Sequence, residues 1–335
     1  MKKYCIIILG FFVTNFTFGQ DIHFSQFDKS PLQLNPALTG NYNGDWRFSA
    51  NQRSQWRSVS RSFNTVQFSV ENSEERLMPN LYHGFNYMND VAGDGNYRTH
   101  ELNISNAYKL FLNQDSSKTL TAGIQIGINN KSIDFNAFKY DLQFNGYKYD
   151  KNLPNNENFI EDRYTNFNLG LGLFYVQKLK SKGIIETGAS VFNLVSQNHS
   201  FFGNKSIIRD RRFVVHGRLT YPIKRDWDIM PGFLFQTQGV YRELNLGSNI
   251  RYIQNDKKGE YVAPYAGIWF RTKDAINLVA GLYYNNWIAG VSYDINISEL
   301  SPASHVRGGL EFSFQYILKF FKPKQAQYRI CPNYL

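Results

Sequence analysis

Ser304 and His305 stand side by side, and a hydroxyl next to an imidazole is the pairing that nucleophilic acyl transfer requires. Neighbours on a strand point to opposite faces, so this imidazole cannot serve this hydroxyl, and a rim protease or lipase is set aside. The six histidines, at 23, 83, 100, 199, 216 and 305, form no pair at metal-ligand spacing. His216 falls on the polar face of its run and reads as a hydrogen-bonded residue rather than a ligand. No GxSxG elbow, Walker loop or dinucleotide fingerprint occurs. Carboxylates such as Glu157, Glu161 and Asp162 lie in polar loops, where solvated acids are ordinary. The sequence therefore offers no catalytic residue, no metal ligand and no cofactor site.

What remains is a set of charges at period two. Arg47, Glu186, Arg218, Glu243, Arg251, Asp294, Arg307 and Glu311 share strand faces with small residues, among them Gly123, Gly127, Gly170, Gly172, Gly188, Gly281 and Gly290. Mixed signs on an inward face serve either salt-bridged bracing or a transport pathway, and residue types alone do not separate the two. Bracing is favoured, since a barrel of this size with an apolar leader can be plugged.

The element that positions such charges is clearest over 275–318. Leu278, Ala280, Leu282 and Tyr284 share one face of a first run. Trp287, Ala289, Val291, Tyr293, Ile295 and Ile297 share one face of a second. Val306, Gly308, Leu310, Phe312, Phe314, Tyr316 and Leu318 alternate with Arg307, Gly309, Glu311, Ser313 and Gln315 in a third. Alternation over about ten residues, apolar on one side and polar or small on the other, marks a transmembrane β-strand. Fourteen such runs follow residue 43: 44–52, 63–71, 80–90, 98–111, 118–129, 164–178, 182–194, 210–221, 226–238, 241–254, 260–271, 275–285, 286–296 and 305–317. The expected fold is an all-β, 14-stranded antiparallel transmembrane barrel of a Gram-negative outer membrane.

An even strand number puts both termini in the periplasm and predicts short turns after even strands and long loops after odd ones. Residues 178–183, 222–226, 255–260 and the pair Asn285-Asn286 are short and rich in turn formers, whereas 130–163, 195–209 and 297–304 are long; 72–79 after an even strand is somewhat longer, and the odd links near Gly239 and Thr272 are short. A soluble sandwich has no reason for that asymmetry. It would also lack aromatics at the ends of apolar faces, seen here at Trp46, Tyr87, Tyr108, Tyr175, Tyr221, Trp269, Tyr284, Trp287 and Tyr316.

Composition agrees: 335 residues carry 28 Phe and 22 Tyr, yet the chain is polar on average, as it must be when lumen-facing residues dilute lipid-facing ones. Residues 1–19 combine Lys2 and Lys3 with a short apolar core and read as a secretory signal peptide. Without those two lysines the basic count falls from 37 to 35 against 27 acidic residues, a net charge of +8. An exported chain with this balance points to lipid headgroups, peptidoglycan or an acidic partner and not to nucleic acid. Residues 20–43 have no sustained period; they form an irregular segment that can fill the barrel or its periplasmic mouth. Residues 44–318 make the barrel, and 319–335 a basic periplasmic tail. Cys331 is the only cysteine outside the signal, either a reactive thiol or one packed at the rim.

Two stretches bracket the mature chain. FSQFDKSPLQLNPALTG at 24–40, followed by NQRSQW at 51–56, resembles the N-terminal signature of the PorP/SprF family of type IX secretion system membrane proteins. GVSYDINISELSPASHVRGGLEFSFQY at 290–316 is similar to that family's last two strands, and RICPNY at 329–334 to its C-terminal Cys-Pro element. His305-Val306-Arg307 departs from the family's common His-Glu followed by an apolar residue, which puts any role for an acid there in doubt. The resemblance implies a barrel of a Bacteroidota-type cell that assists export or surface retention of a secreted adhesin, and a link to a periplasmic OmpA-like protein that grips peptidoglycan. It also implies a partner contact through Arg329, Cys331, Pro332 and Tyr334. The expectation from another class is a channel or transporter for small or hydrophobic solutes, which needs a continuous path past Arg218 and Arg251.

Overall fold

A strand in hydrocarbon can satisfy its backbone N–H and C=O groups only by pairing on both sides, so a sheet that crosses a membrane must leave no edge. The computed structural model meets that demand by closure. It describes residues 21–320 apart from 57–60, 74–77, 158, 196, 205–206, 258, 299–300 and 305–306. Residues 1–19, expected to be a signal peptide, lie outside the described residues. The strands are β1 (Trp46–Gln55), β2 (Phe63–Asn72), β3 (Leu81–Ala92), β4 (Tyr97–Phe111), β5 (Lys118–Ser132), β6 (Arg163–Lys178) and β7 (Ile184–Phe192). They continue as β8 (Arg212–Lys224), β9 (Trp227–Gln238), β10 (Tyr241–Tyr252), β11 (Glu260–Arg271), β12 (Ala275–Tyr284), β13 (Trp287–Asn296) and β14 (Arg307–Leu318). Each pairs antiparallel with the next, and β1 closes on β14 from Trp46↔Leu318 to Ser54↔Leu310. A three-residue ladder, Asn255–Lys257, doubles back in the turn before β11.

All fourteen expected strands are present, with ends displaced by a few residues. Their lengths run from 9 to 16 residues, enough for tilted strands that need about 9–11 to cross. Among the described residues no helix is long and apolar enough to cross a membrane.

The pleat sorts the side chains. Ile104, Ile126, Phe167 and Ile268 point outward and are exposed, whereas Gln67, Glu71, Asn86, Asn103 and Ser105 point inward and are buried. At the turn end Trp46, Phe48 and Tyr316 stack, and Trp287 lies 4.1 Å from Tyr316, as an interfacial belt should. Trp269 does not belong to that belt. It shares the parity of Tyr265 and Arg271, is only 5% exposed, and donates its indole N–H to the Asn249 side chain inside the barrel. Ile268 and Phe270 beside it face outward.

Residues 21–43 lie inside. Pro31 and Pro36, each at the first position of a short helical turn, allow only Phe27–Lys29, Pro31–Leu34 and Pro36–Leu38 to coil. The segment runs the length of the lumen. Asp21 sits beside Asn193, Arg209 and Gln238 at the long-loop end, and Tyr42 reaches Glu71 at the turn end where β1 begins. The amino terminus itself lies outside the described residues, and Asp21, the first of them, stands at the long-loop end. Strand parity fixes where the barrel starts, but the segment ahead of it doubles back up through the lumen.

Candidate functional site in the barrel lumen

An irregular segment has backbone groups that no ladder satisfies, so the wall must supply partners or burial is prohibitive. Donors from around the circumference do so. Arg53 on β1 donates to the His23 carbonyl at 2.7 Å, and Gln315 on β14 to that of Lys29 at 3.1 Å. Gln125 on β5 donates to the Leu32 carbonyl at 3.0 Å, Arg212 on β8 to that of Gln33 at 3.0 Å, and Ser190 on β7 to that of Leu34 at 2.8 Å. The amides of Ser25 and Gln26 in turn donate to the Glu311 carboxylate at 2.7 and 2.9 Å.

Charge is neutralised locally. Arg53 and Arg271 share one oxygen of Asp294 at 2.9 and 2.7 Å, and the Ser25 hydroxyl donates to the same carboxylate. Near the turn end Arg47 donates twice to Glu71, both at 2.8 Å, and Glu71 also accepts from the Gly40 amide at 3.2 Å. Arg218 pairs with Glu186 at 2.6 Å and with Asp28 of the segment at 3.5 Å. Arg251 pairs with Asp228, and His23 lies 3.4 Å from Glu243. At the long-loop end Asp21 accepts from Arg209 at 2.8 Å.

Shape is matched by missing side chains. A Cβ at Gly123 would stand 2.3 Å from the Ala37 nitrogen, and one at Gly172 would stand 2.0 Å from Oδ1 of Asn35. The wall is bare where the segment touches it. Freed by that approach, the Asn35 side-chain amide donates to the carbonyl oxygens of Leu173 at 3.0 Å and Ala189 at 3.3 Å. Two apolar clusters complete the contact: Leu34 with Phe192, Val214 and Leu234, and Tyr265 with Trp269 and Val279. Phe27 packs on both and meets the Trp269 ring edge-on at 5.2 Å.

Cavities lie to both sides of these contacts. Toward the long loops lie cavities of about 650 and 520 Å³, which share Asp21, Ile22, Phe63 and Asp90. On the other side, between Phe27, Arg47, Arg218 and Trp269, the space is about 90 Å³. Outside, the loops after β5 and β7 fold on each other, with Phe135 meeting Phe201 edge-on at 6.1 Å and Phe159 tilted against Phe202 at 5.9 Å. Burial, together with Lys131 and Arg209, holds the His199 imidazole there down to about 4, against an opposing pull from Asp21.

Of the eight charges expected on the inward face, Arg47, Glu186, Arg218, Glu243, Arg251, Asp294 and Glu311 have the interior contacts described above. Arg307 differs: it is exposed, beside a small pocket at the long-loop rim with Gln55, Trp56 and Arg271. Arg329, Cys331, Pro332 and Tyr334 lie outside the described residues, as does His305. Ser304 is buried in a short turn and accepts from Asn296 at 3.0 Å. Sequence reading missed Arg53, Glu71, Arg212 and Arg271, although each lies at the inward parity of its strand. It also missed Asn35, which carries no periodic signal. Among the described residues no group of three or more His, Cys, Asp or Glu is placed to hold a metal ion.

A family model described as type IX secretion system membrane protein PorP/SprF matches residues 16–316. No curated protein matches the chain. Among solved structures, the Ralstonia pickettii toluene transporter TbuX is 10% identical with a TM-score of 0.49, covering 87% of this chain and 94% of that one. The CymD monoaromatic hydrocarbon channel is 8% identical with a TM-score of 0.49, covering 88% and 93%. BamA from Haemophilus ducreyi lacking POTRA domains 1–3 is 8% identical with a TM-score of 0.40, covering 82% and 70%. Those similarities concern gross shape. A family match across nearly the whole length of a closed 14-stranded barrel shows that the chain belongs to the PorP/SprF family of type IX secretion system membrane proteins, a Gram-negative outer-membrane component of secretion.

Proposed function

We propose that this barrel is an accessory component that assists export or surface anchoring of a secreted adhesin-like protein and links it to a periplasmic peptidoglycan-binding partner of OmpA-like type. In this reading residues 1–19 are a removed export signal and residues 21–43 act as a plug. The tail 319–335 makes a periplasmic contact through Arg329, Cys331, Pro332 and Tyr334. The observation that carries the reading is the occupied lumen: residues 21–43 are fastened from Asp21 to Tyr42 by side chains of the surrounding strands. A transporter needs a continuous path, whereas an anchor works with a filled barrel. The exposed apolar side chains Phe144, Ile160 and Phe202 on the long loops offer the client a surface outside the membrane.

The test is a mild-detergent pull-down of the tagged full chain from outer membranes, with mass spectrometry after salt washing. Recovery of a large secreted surface protein together with a peptidoglycan-binding protein is the expected result. A barrel that purifies alone and conducts ions in planar bilayers would replace this reading with a channel for small or hydrophobic solutes.

A further inference from the structure

The net positive charge of the chain is unevenly placed, and three adjacent turns carry much of it. Lys118 opens β5, Lys178 closes β6, Lys180 and Lys182 occupy the turn before β7, and Lys224 and Arg225 stand at the turn before β9. All six are exposed, against two acids on the same arc, Asp115 and Asp226. Among the described residues none of the six forms an ion pair with a carboxylate. Farther round the rim the β12–β13 turn is the neutral pair Asn285-Asn286.

Strands lie about 4.8 Å apart, so successive turns at one end of the barrel are about 10 Å from one another. That is close to the screening length at physiological salt, about 8 Å, and the three turns therefore act as one positive surface. Two kinds of counterpart carry the opposite charge, the phosphates of the inner leaflet and a carboxylate-rich protein face. Lipid would be expected to favour cations all round the rim and level with the aromatic belt. Here the rim is neutral at Asn285-Asn286. Lys180, Lys182 and Arg225 lie past the last ladder pairs, Lys178↔Ile184 and Lys224↔Trp227, beyond the level at which Trp227 stacks on Tyr252. Lys178 has the parity of lumen-facing Phe174.

We propose that the turns joining β4 to β5, β6 to β7 and β8 to β9 form a docking surface for a periplasmic protein that presents a cluster of Asp and Glu side chains. This rests on the reading of the barrel as a link to the periplasm and adds where, and to what chemistry, the link is made.

The experiment places a photo-crosslinking residue at Ser181 or, as a control, at Asn286 in the full-length protein in its own outer membrane. The expected result is a protein adduct at Ser181 whose crosslinked peptide is rich in Asp and Glu, with none at Asn286. That adduct should fall at least tenfold in K180E/K182E/R225E and by an intermediate factor in K180Q/K182Q/R225Q. Both variants alter exposed turn residues, and unheated gel mobility checks that each barrel is folded. A phospholipid adduct, equal adducts at both positions, or an adduct indifferent to charge reversal would overturn the proposal. Surface retention of the client in cells lacking the whole barrel is scored separately. If the client stays on the surface, the anchoring reading fails. If it is lost there but held with an unchanged adduct in K180E/K182E/R225E, only the docking surface fails.

Discussion

Gly123→Ala adds a single methyl to the lumen wall, and the geometry says how much the interior segment must give. The new Cβ would meet the Ala37 nitrogen at 2.3 Å and the Pro36 carbonyl carbon at 2.4 Å, where ordinary contact begins at 3.4 Å. Both are backbone atoms, so no rotamer change relieves the clash, and the turn Pro36–Leu38 has to move by about 1 Å. Overpacking of this kind costs about 1–3 kcal/mol. At 1.4 kcal/mol per tenfold change, the opened population of the segment rises by about 5- to 150-fold. Hydrogen exchange of peptides covering residues 30–39 reads that population, because the Asn35 and Leu38 amides are bonded within the segment at 3.0 Å. Exchange there should quicken by that factor in Gly123→Ala and stay unchanged in Ala122→Val, one residue along on the lipid face. Equal protection in Gly123→Ala and the parent protein would refute the seating of residues 36–37 against β5.

Other consequences follow from the same contacts. Glu71 is fully buried, and Glu71→Gln leaves the Arg47 guanidinium without its counter-charge, a loss of about 3–5 kcal/mol. The temperature at which the barrel loses its compact gel mobility should drop, and the double change Arg47→Met with Glu71→Met should restore much of it. His199 is held neutral to about 4 from an ordinary value of 6.5, first by burial and then by Lys131 and Arg209. A base whose folded value is depressed costs stability as pH falls below its unfolded value, so the packing of the two long loops should weaken progressively from pH 6.5 toward 4. Exchange of peptides covering residues 195–204 checks this, and His199→Gln should remove that pH dependence.

The barrel was legible because its physics is periodic. Runs such as 118–132 alternate Ile124, Ile126 and Ile128 with Gly123, Gln125 and Gly127, and a face swap of one residue would put glutamine into lipid. Trp269 was misplaced because an aromatic near a strand end suits either face by type. Its inward side is matched by the Phe27 ring, 242 positions earlier in the chain. The inward glycines were visible as small residues, yet their meaning depended on Asn35, Pro36 and Ala37 lying opposite them. Residues 21–43 have no period, so their content of Phe, Leu and Pro pointed to burial without giving a direction. That they climb to the long-loop end follows only from three-dimensional pairs such as Asp21 with Arg209.

In the proposed reading residues 21–43 close the lumen, with Phe27 packed edge-on against Trp269. Single-channel recording of the purified full chain in planar bilayers tests it directly, alongside Phe27→Ala. The parent protein should be silent, and Phe27→Ala, which removes the ring bridging both apolar clusters, should show openings. Steady conductance by the parent protein, unchanged in Phe27→Ala, would contradict it.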